Sequence, residues 1–137
     1  MKEIVNKLRA IEREIAVEKG PFLFFALFLR EDAPDLWDLM VAAPWITGDK
    51  PSALKYIAEK VKTGLEVDEL LKISRIVLIE EKNQALEALQ QAIHVEHGAA
   101  EIEDSIFWGL PIKHAYLITS RREATPGPIN SLQPNPL

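Results

Sequence analysis

Between Pro21 and Arg30 the chain reads Phe22-Leu23-Phe24-Phe25-Ala26-Leu27-Phe28-Leu29, an apolar run with no polar interruption that holds four of the five phenylalanines. Neither face of an element built from it can look at water. The run is short for a buried helix and is cut off by Gly20-Pro21 before it and Asp32-Ala33-Pro34 after it. Aromatic enrichment and length together predict a central β-strand. A strand buried on both faces belongs in a parallel or mixed sheet sheltered by helices. At about 1.5–3 kcal/mol for each large side chain fully buried, this segment outweighs the net stability of an ordinary domain.

The flanking sequence supplies the cover. Ile4, Leu8, Ile11 and Ile15 recur at helical spacing within Lys2–Lys19, laying one apolar stripe along a helix that Gly20 and Pro21 end. After the central strand, Asp35 is read as the cap of a second, short helix through Leu36, Trp37, Leu39, Met40 and Val41, closed by Pro44. Pro51 opens a third helix with Leu54, Ile57, Ala58 and Val61 inward and Gly64 as its stop. A helical turn over Val67–Lys72 leads into a β-branched run, Ser74–Glu80, read as the second buried strand. Roughly forty mostly helical residues separate the two strands, enough for a crossover, which points to parallel pairing. Lys82–Ile93 returns to helix. Ala100–Phe107 and Ile112–Ser120 form a terminal hairpin about Trp108-Gly109-Leu110-Pro111, with the first of them an edge strand.

The expected architecture is therefore α/β, a mixed sheet of about four strands covered by helices, in the order α-β-α-α-β-α-β-β. Residues 1–123 form one domain. Four of the nine prolines fall within 124–137, which is read as a tail without regular secondary structure.

Composition narrows the partners. A chain of 137 residues with 47% hydrophobic content supports one domain with a full core. A formal charge of -5 and a pI near 5.2 disfavour nucleic acid and anionic membrane surfaces. The basic face of Lys55, Lys60 and Lys62 is read as a solvated helix surface. The absence of cysteine excludes disulfides, thiolate metal sites and cysteine nucleophiles. Lys2, Glu3, Lys7 and Arg9 interrupt the N-terminal apolar residues, so no signal peptide is expected there and the cytoplasm is the expected location.

Motifs for chemistry are sparse. The glycines are scattered rather than gathered into a phosphate loop, and none of Ser52, Ser74, Ser105 and Ser120 sits in a nucleophile elbow. His94, Glu96, His97 and His114, with Glu101 or Asp104, hold metal-ligating side chains, but no spacing fixes a third ligand, and no metal site is assigned. If the two buried strands are parallel neighbours, their carboxyl ends gather Arg30, Glu31 and Asp32 with Glu80, a cluster suited to Mg²⁺ or a phosphorylated small molecule. Otherwise no cofactor is expected. Trp37, Trp45, Phe107 and Trp108 are candidate interface anchors, Trp108 alternatively folding back as a lid over the sheet. The expected role is a self-associating, non-enzymatic protein-interaction or regulatory domain, a homodimer or the partner of another protein, with a small ligand-binding domain or enzyme at the acidic strand ends as the alternative.

Overall fold

The phenylalanine-rich run is the middle strand of a five-stranded sheet. The computed structural model describes residues 1–122, and the segment 124–137 read as a tail lies outside the described residues. Along the chain come helix α1 (Lys2–Lys19), strands β1 (Phe24–Arg30) and β2 (Trp37–Ala42), a 3-10 turn at Pro44–Ile46, helices α2 (Lys50–Gly64) and α3 (Val67–Leu70), strand β3 (Ile73–Leu78), helix α4 (Gln84–Ala92), and strands β4 (Ala100–Phe107) and β5 (Leu110–Ser120). The sheet order is β3-β2-β1-β5-β4. Pairing is antiparallel throughout except between β2 and β3, so the sheet is mixed.

Alternation of side chains along β1 divides the core in two. Phe25 and Leu27 face α1 and α2, where Leu8, Ile11 and Ile15 of the first helix meet Ile57 and Val61 of the second. Phe24, Ala26 and Phe28 face the other way, toward Leu86 and Leu89 of α4. Both layers of cover have clear starts and stops. The Asp49 carboxylate accepts from the Ser52 amide at the head of α2, and Asn83 Oδ1 accepts from the Leu86 amide at 3.0 Å at the head of α4. α1 ends at Gly20, whose φ of 120° lies where only glycine is unstrained.

The short helix expected from Asp35 is instead β2. Its six residues are too few for a helix that must bury apolar residues on most sides, and as a strand they do so directly. Leu39 and Val41 enter one core layer, while Ala42 and Met40 enter the other. The insertion raises the strand count from the expected four to five and changes the topology. β2 lies between β1 and β3, so the two runs expected to be parallel neighbours are not adjacent. β1 is antiparallel to β2, β2 parallel to β3, and the carboxyl ends of β1 and β3 therefore point to opposite ends of the sheet.

The terminal hairpin forms as expected, with β4 at the margin. β4 carries Glu101, Glu103 and Asp104, and Asp104 sits at φ 50°, interrupting the pleat.

Candidate functional site

Helix α4 covers only part of its face of the sheet. Gln90 anchors it near the start of β1, donating to the carbonyl oxygens of Leu23 and Arg121 at 3.2 and 2.8 Å. Toward the Phe28 end the cover comes from the β4–β5 turn. Trp108 and Gly109 both have positive φ, 54° and 75°, the backbone of a tight hairpin turn that matches strand twist. A bulky residue in this conformation is strained. The strain is offset by what the turn achieves: the indole Nε1 donates to Asn83 Oδ1 at 2.9 Å, and the Phe107 ring stacks on Phe28 with centroids 4.9 Å apart. Asn83 thus caps α4 and tethers the hairpin with one oxygen.

Between this hairpin, the β3–α4 connection and the sheet lies a cavity of about 360 Å³. Phe28, Met40, Val77 and Ile112 line its sheet side, and Trp108 and Leu110 its hairpin side. That volume falls at the small end of the range for ligand pockets, which are typically apolar with a few placed polar groups.

The polar groups are at one end. Asp38, Arg30 and Arg75 come from three adjacent strands, β2, β1 and β3, on the cavity face. Asp38 is only 3% exposed. Its Oδ1 lies 3.2 Å from Arg75 Nε, and its Oδ2 lies 3.3 Å from Arg75 Nη2 and 3.5 Å from Arg30 Nε. Arg30 also approaches Asp32 Oδ1 at 3.6 Å. Among the described residues, Nη1 of both arginines and Nη2 of Arg30 make no hydrogen bond, while Arg75 Nη2 donates to Asp38. A guanidinium offers five donors in a fixed fork, so each arginine retains donating capacity at the cavity.

The candidate residues read from the sequence are distributed as follows. Arg30 and Glu80 both line the cavity, Arg30 at the carboxyl end of β1 and Glu80 just past that of β3, which places them at opposite ends of the sheet, and Glu80 pairs with Lys50. Glu31 and Asp32 lie in the exposed β1–β2 turn. The acidic crevice at shared carboxyl ends does not form, because β2 separates β1 from β3 and reverses one against the other. Of the aromatic anchors, Trp37 is buried in the core with α1 and α2, and Trp45 packs edge-on against Phe22 and Tyr56. Phe107 and Trp108 flank the cavity, so the lid alternative describes Trp108. Asp38 and Arg75, the centre of the site, were not singled out by the sequence.

The three histidines have separate partners. His94 Nε2 contacts Glu96 at 3.0 Å, His97 Nδ1 contacts the buried Glu12 at 2.5 Å, and His114 Nε2 contacts Glu101 at 2.5 Å. Glu101, Glu103 and His114 bring ligand atoms within 4.8 Å of one another on the exposed surface of the hairpin. Tyr116 stacks on His114, and its hydroxyl is pushed above the ordinary phenol range by burial and by the carboxylates of Glu101 and Glu103.

Compared with protein-family models, curated proteins and solved structures, the chain matches none. The case for function therefore rests on the geometry of the cavity.

Proposed function

We propose that the chain is a small-molecule-binding domain whose guest enters the cavity between β3 and the β4–β5 hairpin, with its apolar body over Phe28, Met40 and Val77. The observation that carries this reading is the cavity itself: an apolar hollow of about 360 Å³ set into a sheet whose neighbouring surface is packed. An apolar hollow left open to water forgoes about 25 cal/mol for every square ångström that a guest would cover. Binding without chemistry is the form supported here, since the lining holds no hydroxyl, thiol or imidazole and its two carboxylates are engaged, Asp38 by Arg30 and Arg75 and Glu80 by Lys50.

Trp108 provides the assay. Titration with small aromatic and aliphatic compounds changes its emission and raises the unfolding midpoint, the free energy of unfolding gaining about 2.7 kcal/mol at a hundred times the dissociation constant. A Trp108→Phe variant assigns the optical signal. A panel of such compounds that altered neither emission nor midpoint would remove the reading.

Self-association is a second reading, favoured by Val67 at the start of α3 and Leu71 just past its end, which remain 76% and 74% exposed. Light scattering tests it directly, and a strict 15.5 kDa species would exclude it.

A further inference from the structure

We infer that the guest of this cavity is a monocarboxylate, an apolar body ending in one carboxylate held by the free guanidinium donors of Arg30 and Arg75; this deepens the binding reading above and rests on it. At the charged end two guanidinium groups face one buried carboxylate, Asp38, and Arg30 is met besides by the exposed Asp32, so at most one positive charge, carried chiefly by Arg75, is left for a guest to neutralise. The surroundings are acidic. Asp32 stands beside Arg30, and Glu80 at the far end of the cavity is already paired with Lys50, so a second negative charge on the guest would find no counter-charge. Planarity points the same way, because a carboxylate matches the guanidinium fork with two parallel hydrogen bonds.

The trio is also difficult to explain as a folding device. Buried charge clusters are commonly no more stabilising than well-packed apolar side chains of similar volume, and β2 is otherwise an apolar strand. Asp38 has a positional effect on the cavity: by engaging Nε of both arginines and Nη2 of Arg75, it orients the remaining donors without consuming them. It is a positioning residue for the guest's carboxylate.

Calorimetric titration of the full chain with phenylbutyrate, phenylbutyramide and phenylpropylphosphonate tests the inference. The carboxylate is expected to bind about ten- to a hundredfold more tightly than the neutral amide, the range for gaining charge-assisted hydrogen bonds, and more tightly than the phosphonate. Arg75→Gln should abolish the preference over the amide while leaving amide binding unchanged, and Arg75→Lys should restore part of it. Because Arg75→Gln strips a partner from Asp38, the triple variant Arg30→Gln, Asp38→Asn, Arg75→Gln removes every charge of the trio together and should likewise show no preference for acid over amide if the single variant folds poorly. Equal affinity for acid and amide would overturn the carboxylate assignment and leave the cavity reading intact. A tighter phosphonate would overturn the single-charge argument. Failure of all three compounds to bind would sink the cavity reading and the inference with it.

Discussion

The charged trio of Arg30, Asp38 and Arg75 predicts opposite signs for two substitutions at the same place. Asp38→Ala leaves Arg75 without its counter-charge and Arg30 with only the exposed Asp32. Breaking a fully buried charge pair by removing one partner costs about 3–5 kcal/mol. Here the arginine side chains keep 26% and 54% of their surface in water, so they can swing outward, and the expected cost falls to about 2 kcal/mol. With a urea dependence of about 1.5 kcal/mol per molar, the unfolding midpoint drops by about 1.3 M. The triple variant Arg30→Met, Asp38→Leu, Arg75→Met removes every charge of the trio and replaces them with apolar bulk. It should be as stable as the parent, or more stable by about 1–4 kcal/mol. Urea unfolding followed by far-ultraviolet circular dichroism measures both. A triple variant at least as unstable as Asp38→Ala would refute the reasoning, since the trio would then be a net contributor to the fold rather than a feature tolerated for the cavity.

Three further outcomes follow from other contacts. Asn83→Ala removes both the cap of α4 and the acceptor for Trp108; it should cost about 1–2 kcal/mol, with the emission of Trp108 shifting to the red as the indole becomes wetter. Leu27→Ala, at a fully buried position in the middle of β1, should cost about 2–5 kcal/mol in the same unfolding assay. For pH, the hydrogen bond from Lys7 and the backbone bond within the Glu66–Glu69 turn hold the Glu69 carboxyl below its ordinary 4.5. A lowered carboxyl contributes stability that is present above that ordinary value and is lost as pH falls through the folded one. Glu69→Gln should therefore flatten the acid side of the stability profile below about pH 4.5 and leave its shape near neutrality unchanged, as read from urea midpoints across the range.

The sequence was most informative where physics acts locally. The run Phe22–Leu29 could be satisfied only inside a sheet, and the stripe Ile4, Leu8, Ile11, Ile15 only as a helix face. Pro51 and the stop at Gly64 marked α2 within a residue of its observed bounds. β2 was misread although the length criterion that identified β1 applied to it equally: Trp37–Ala42 is a short apolar run between Pro34 and Pro44. The reading of Asp35 as a helix cap outweighed that criterion, and Asp38, the second residue of the strand, was given no role. The partners that make this aspartate tolerable are Arg30, on the preceding strand, and Arg75, on a strand reached only after α2 and α3. No local pattern links the latter to Asp38. Trp108 was likewise read as a turn residue, and only the tertiary contact with Asn83 shows what that turn holds in place.

The acidic margin of the hairpin has its own consequence. A second chain laying a strand along β4 would bring its backbone against a row containing Glu101, Glu103 and Asp104, and would lose registry where Asp104 turns its peptide aside. Growth of ordered fibres from that border is therefore discouraged, and concentrated preparations of the protein should remain clear for longer than those of a variant in which these three carboxylates are made neutral.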